Sequence, residues 1–148
     1  MHPVKKLKSD FYNFGSIFLA ALNSSFTALI DLSTSSTLSF NSLDKRVDTL
    51  SNYLVANGVN KGDRIAFLCF NSSVIIEIIF ACWRIGAICL PINYRLTASE
   101  VLYIVNDSEP KVVFVDREFN GIWNEVIKEF DQKQLKTISF NSLNKQSD

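Results

Sequence analysis

Hydrophobic positions along this chain switch between a helical period and short unbroken apolar runs. From Asn41, the residues Leu43, Val47, Leu50 and Leu54 recur at spacings of four, three and four, while Asp44, Lys45, Asp48 and Asn52 face away. That stripe predicts an amphipathic helix capped by Asn41 or Ser42. Gly58 stops it by taking the left-handed conformation, and Val59 follows as an apolar anchor. The run Ile65 to Phe70 has no polar interruption, which fits a strand buried on both faces and therefore a parallel sheet covered by helices. Asn71-Ser72-Ser73 offers caps for a helix from Val74 to Ile85, Gly86 ends it, and Ala87 to Leu90 returns as a second buried strand, so that strand, helix and strand form one right-handed crossover.

The alternation continues. Thr97 and Glu100 have capping-box spacing ahead of Val101, Leu102, Ile104 and Val105, and Asp107, Ser108 and Pro110 close that helix. Lys111 to Asp116 reads as a third buried strand, Asn120 to Phe130 as a helix, and Leu135 to Phe140 as a further strand. Upstream, Phe14 to Leu22 predicts a short amphipathic helix, and Thr27 to Leu32 with Thr37 to Phe40 a hairpin around Ser33 to Ser36. The expected fold class is α/β, with three or four mostly parallel buried strands flanked by helices. The expected organisation is a tail over 1–13, a folded part over 14–140 and a frayed tail over 141–148.

Two stretches imitate membrane or export signals. Val74 to Ile92 has nearly spanning length, yet Glu77, Arg84, Gly86 and Pro91 fall within it. Each central charge costs about 2.5 to 3.5 kcal/mol on insertion, so a helix, a turn and a strand explain the stretch better. Lys5, Lys6 and Lys8 precede the apolar run Ile17 to Leu22, but Asp10 and Asn13 interrupt the approach and no small-x-small cleavage site follows. At 148 residues, with 47% apolar and 20% charged residues, the chain is long and apolar enough to pack a core. Fifteen basic residues balance fifteen acidic ones, which leaves no net field to attract nucleic acid. Cys69, Cys82 and Cys89 sit in apolar runs without metal-ligand spacing, as buried thiols of a reducing cytoplasm would.

A family likeness is carried by an ordered series. Ser39-Phe40-Asn41-Ser42-Leu43, then Gly58-Val59, then Lys61-Gly62-Asp63-Arg64-Ile65-Ala66 resemble the "TYxEL…GVxKGDRVA" opening of the AMP-forming acyl-CoA synthetases, the adenylate-forming ligases. Asn71-Ser72, Ala81, Gly86-Ala87, Pro91-Ile92-Asn93, Arg95-Leu96-Thr97, Glu100, Asp107-Ser108 and Lys111 to Asp116 resemble the continuation, "NSxE…AxxxAGAVxVPLNxRLTxxEL…DSxAKVxxxD". The likeness runs from about residue 14 to 116, and it is the order of the motifs over that distance that makes it specific. Ser42 and Val74 stand where the family has Glu, and Pro110 where it has a small residue.

The resemblance implies the N-terminal part of the large domain of such a ligase. It also implies the family's reaction: a carboxylic acid is joined to AMP from ATP and Mg²⁺, then passed to coenzyme A or a carrier. Cradling a triphosphate takes converging backbone N–H groups and cations, and the five glycines, Gly15, Gly58, Gly62, Gly86 and Gly121, are never clustered. The family places that loop, the adenine-binding motifs and the adenylation lysine downstream. No catalytic residue, metal site or bound cofactor is therefore expected of these residues alone, and the expected partner is the remainder of the ligase domain or a partner ligase subunit. His2 is the only histidine and lies at the terminus, which disfavours Ser-His-Asp or Cys-His catalysis.

Candidate substrate-binding residues are Asn93, Tyr94 and Arg95, which follow a buried strand, with Arg95 free to pair with an anion and Tyr94 to stack. In the competing structural reading, Arg95 braces the following helix and Asn93 bonds backbone in a turn. Asp63 and Arg64 read as a solvated turn with an intrahelix or strand-edge ion pair, and Asp116, at a strand's carboxyl end, as structural. An alternative function is a non-catalytic binding module that keeps the fold. A small doubly wound nucleotide-binding protein is disfavoured by the absent glycine loop.

Overall fold

A computed structural model describes residue 14 and residues 26–32, 34–130 and 135–141. The helix expected over 14–22 lies outside them except for Phe14, as do the tail over 1–13 and residues 142–148. Strands β1 (Thr27–Asp31) and β2 (Ser36–Ser39) form an antiparallel hairpin. Then follow α1 (Phe40–Ala56), β3 (Arg64–Leu68), α2 (Ser73–Ile85), β4 (Ile88–Ile92), α3 (Ala98–Ser108), β5 (Val112–Asp116), a 3₁₀ turn at Arg117–Phe119, α4 (Asn120–Glu129) and β6 (Lys136–Phe140). The four later strands make one sheet in the order β4-β3-β5-β6, every pair parallel.

Alternate side chains of each strand enter opposite cores, which makes the molecule three-layered. Ile65, Phe67, Val112 and Phe114 pack with Leu43, Val47 and Leu54 of α1 and Ile78, Ala81 and Cys82 of α2. Ala66, Leu68, Val113 and Val115 pack with Val101 and Val105 of α3 and Trp123 and Val126 of α4. The route from β3 to β4 runs sideways in one direction and the route from β4 back to β5 in the other, so crossovers of one hand place α2 and α3 on opposite faces.

Helix ends follow local chemistry except at the start of α2, and the caps of α1 and α2 both correct the sequence expectation. α1 starts at Phe40, and its cap is Ser39, whose hydroxyl accepts the Ser42 N–H at 3.2 Å, in place of the expected Asn41 or Ser42. Its other end closes as expected: Gly58 has φ of 82°, its N–H reaches the Val55 carbonyl, and Val59 N–H reaches the Leu54 carbonyl. This double closure buries Val59 against the core beside Leu54. α2 carries Ser72 at its cap position, but no Ser72 side-chain bond is made there. The Ser73 N–H is instead taken by Asp31 Oδ2 of the hairpin at 3.0 Å. α3 shows the complete capping box, Thr97 accepting from Glu100 N–H and Glu100 accepting from Thr97 N–H.

A third correction concerns β4, expected at 87–90 and buried. It runs from Ile88 to Ile92, includes Pro91, and lies at the sheet edge, where Ile88 is half exposed. An edge is where a strand residue without an N–H is tolerated. Among the described residues, no helix is long and apolar enough to cross a membrane.

Candidate functional site

In an open parallel sheet the ligand crevice opens where neighbouring strands send their carboxyl-end loops to opposite faces. Here that condition is met on both sides of β3, whose loop leads to α2 on one face while the loops of its neighbours β4 and β5 lead to α3 and α4 on the other. Three aromatic rings meet at this end of the sheet. Phe70 follows β3, Tyr94 follows β4 and Phe119 follows β5, with ring centroids 4.9 Å apart for Phe70 and Tyr94, 4.8 Å for Phe70 and Phe119, and 5.9 Å for Tyr94 and Phe119. Edge and tilted contacts of this kind fix the rings as one wall. Sequence reasoning singled out Tyr94 and missed Phe70 and Phe119, whose only signal was a bulky apolar residue two or three positions past a strand end.

Asn93, Tyr94 and Arg95 form a tight turn. Asn93 Oδ1 accepts the Arg95 N–H at 3.0 Å, and the Asn93 carbonyl accepts the Leu96 N–H at 3.2 Å. Tyr94 thereby turns inward to the ring cluster while the exposed Arg95 lays its guanidinium 5.5 Å from the Tyr94 ring centre. A cation over an aromatic face keeps its N–H fork free for an anion. The turn thus brings an exposed positive charge to the rim of an aromatic wall.

Asp116, fully buried at the end of β5, bonds the Glu118 N–H and so starts the 3₁₀ turn that delivers Phe119 to the wall. Burial, with the Asp116 carboxylate nearby, pushes the Cys69 thiol up to about 12. Burial, with Cys89 adding a smaller effect, pushes Cys82 up to about 12 as well. Neither thiol is a thiolate at neutral pH, which removes both as nucleophiles.

Asp63 and Arg64 lie at the opposite end of the sheet. Asp63 accepts the Asn60 N–H at 2.7 Å and pairs with Lys111 at 2.9 Å, and these contacts hold its carboxyl below the usual aspartate range. Arg64 donates to the carbonyls of Ser108 and Glu109, tying the end of α3 to β3. Both are fasteners, far in topology from the aromatic wall.

Comparison with known proteins follows the same outline. The family model "AMP-binding enzyme" matches residues 20–147. The 3-hydroxybenzoate–CoA/4-hydroxybenzoate–CoA ligase of Thauera aromatica is 33% identical over 95 residues, 64% of this chain and 18% of that protein. The long-chain-fatty-acid–CoA ligase FadD13 of Mycobacterium tuberculosis is 33% identical over 94 residues, 64% of this chain and 19% of that protein. The chain therefore spans about a fifth of the length of these curated relatives. Among solved structures, the inhibitor-bound N-terminal domain of FACL13 from Mycobacterium tuberculosis superposes with a TM-score of 0.80 at 27% identity, covering 90% of this chain and 34% of that one. ATP-bound MatB from Rhodopseudomonas palustris superposes with a TM-score of 0.73 at 25% identity, covering 88% of this chain and 26% of that one. With residues 20–147 matched by the family model and its fold superposing on these structures, the chain belongs to the AMP-binding enzyme family.

Proposed function

We propose that this chain forms one wall of an ATP-dependent acid–CoA ligase, which activates a carboxylic acid as its acyl-adenylate and then makes the thioester, and that these 148 residues alone do not catalyse either step. The observation that supports this is the aromatic wall with the exposed Arg95 at its rim. It offers a planar apolar surface and one cation, which suits an organic acid or a nucleotide edge. It does not offer the converging backbone donors that a triphosphate with Mg²⁺ requires, since the glycines of the chain stand far apart.

In this reading Asn93 sets the turn, Tyr94 completes the wall and Arg95 pairs with a substrate anion. ATP, Mg²⁺ and CoA are held mainly by the rest of the ligase. The acceptor thiol and the acid are those of the complete enzyme, and its site is the cytoplasm, where the buried Cys69 and Cys82 stay reduced.

The test has two arms. The purified chain, incubated with ATP, Mg²⁺, labelled pyrophosphate and a panel of aromatic and aliphatic acids, should show no exchange into ATP, and exchange above background would overturn the division of labour. In a complete ligase carrying this segment, Arg95→Ala should raise KM for the acid or ATP about tenfold, the worth of one charge-assisted hydrogen bond. Unchanged kinetics would end the role given to Arg95.

A further inference from the structure

α2 and β4 meet at a tight reversal, and a cysteine stands on each side of it. Gly86, with φ of 73°, ends the helix, and the Ala87 N–H reaches back to the Cys82 carbonyl at 2.9 Å. β4 then runs back beneath the last turns of α2, as the second strand of a crossover does. Cys82 lies four residues before Gly86 and Cys89 three residues after it. Four helical residues span about 6 Å and three strand residues about 10 Å, so the two positions differ by only about 4 Å along the helix.

Both side chains also face one layer. Cys82 belongs to the sheet-facing side of α2 with Ile78 and Ala81, and Cys89, opposite Ile65 of β3, packs into the same cluster. Cys82 is fully buried and the Cys89 charge acts on it, whereas Cys89 itself is only partly buried. The third cysteine, Cys69, stands four residues beyond Ile65, about 13 Å farther up the sheet.

We propose that Cys82 and Cys89 are a peroxide-responsive pair, which rests as two thiols and closes to an internal disulfide that clips the last turn of α2 to β4. Cys89, the accessible member, reacts first. Its sulfur attacks a peroxide oxygen, the O–O bond breaks, and a sulfenic acid and water result. The Cys82 sulfur then attacks the Cys89 sulfur, the S–O bond breaks, and the hydroxyl departs as water with the Cys82 proton. Two thiols and one hydrogen peroxide become one disulfide and two waters. Burial bars Cys82 from a substrate but not from the sulfur beside it, and its thiol, pushed up to about 12, makes this second step the slow one. Among the described residues β4 is bonded to β3 alone, so it is free to shift onto α2 and meet disulfide geometry. Closure also tethers the strand that leads into the Asn93 to Arg95 turn.

The experiment exposes the reduced 148-residue protein to hydrogen peroxide, unfolds it with an alkylating agent present, and maps its tryptic peptides by mass spectrometry. Arg84 lies between the two cysteines, so trypsin separates them unless a disulfide joins them. The expected result is a Cys82–Cys89 link, with two of the three alkylatable thiols lost and both restored by dithiothreitol. Dimedone should trap the sulfenic acid at Cys89 before the link appears. Cys89→Ala, at a partly exposed position, should abolish the link and leave Cys82 alkylatable, while Cys69→Ala should leave the link intact. Amide exchange of the oxidised protein should slow at the end of α2 and in β4.

An oxidised Cys89 with Cys82 still free overturns the pair. So does a link to Cys69, a link between two chains through Cys89, or three thiols that survive peroxide unchanged. A Cys82–Cys89 link without slowed exchange in β4 supports the pair and overturns the clip.

Discussion

On the α3/α4 side of the sheet, fastening is mostly local in sequence: the Thr97–Glu100 capping box, the Asp116 bond that starts a 3₁₀ turn, and the Trp123 indole N–H to Thr137 Oγ1 at 3.1 Å. On the α1/α2 side it is long-range. Arg84 of α2 pairs with Asp44 at 2.6 Å and also with Asp48, both on α1, and Asp31 of the hairpin caps α2 from 42 residues away. The first face has ties that form as soon as one helix or turn forms, alongside the Trp123–Thr137 and Arg64–Ser108 bonds between elements, whereas the ties of the other exist only after three separate elements have met. The α1/α2 face should therefore be the one whose polar ties cost most to break.

The largest effect is expected from Arg84→Ala. It leaves Asp44, whose side chain is 8% exposed, without its guanidinium, and breaking a buried pair costs about 3 to 5 kcal/mol. Urea unfolding should show the loss as a lower midpoint, and a change under about 1 kcal/mol would refute the contrast. Asp31→Ala comes next, at about 1 to 2 kcal/mol, because it strips the cap from α2 and the bond to Thr34 N–H together. Hydrogen exchange should quicken in both the hairpin and the first turn of α2; quickening in only one would show that they are not coupled.

Thr97→Ala should cost about 1 kcal/mol and loosen α3 alone. Proline-free, fully local and exposed, this cap is the control for the other two.

The smallest effect separates the faces by acid. Burial raises the Glu77 carboxyl above its ordinary value, against the opposing pull of Arg46, so native Glu77 binds its proton more readily than unfolded Glu77. The resulting penalty is full at neutral pH and is relieved as pH falls towards 4.5. Glu100 is shifted the other way by the Thr97 backbone and hydroxyl bonds, so its contribution is present above 4.5 and is lost as pH falls through its lowered native value. Melting curves between pH 7 and 3 should show Glu77→Gln flattening a downward slope with rising pH and Glu100→Gln flattening an upward one. Slopes of the same sign would show that the two carboxyls do not differ as their surroundings dictate.

The same contrast governs what could be read from the residues alone. The α3 box, the Gly58–Val59 closure and the unbroken apolar runs of β3 and β5 were legible because each is a short-range pattern with one physical meaning. The Asp31 cap was not, since Ser72 and Ser73 offered a nearer solution and nothing local says that a hairpin will arrive to replace it. The exposed side of β4 was also hidden: Ala87 to Leu90 is as apolar as β3, and apolarity reports burial but not which strand ends a sheet. At the candidate site, Tyr94 and Arg95 were visible as a turn after a strand, whereas Phe70 and Phe119 joined them only because the sheet order brings three strand ends together.

Pro91 sits in β4 opposite Phe67, on the margin away from β6. Its ring withholds one amide from any strand that approached from that side, so lengthening of the sheet is disfavoured there relative to β6. Misassembly of two such chains margin to margin is accordingly discouraged at that end by a single imino acid.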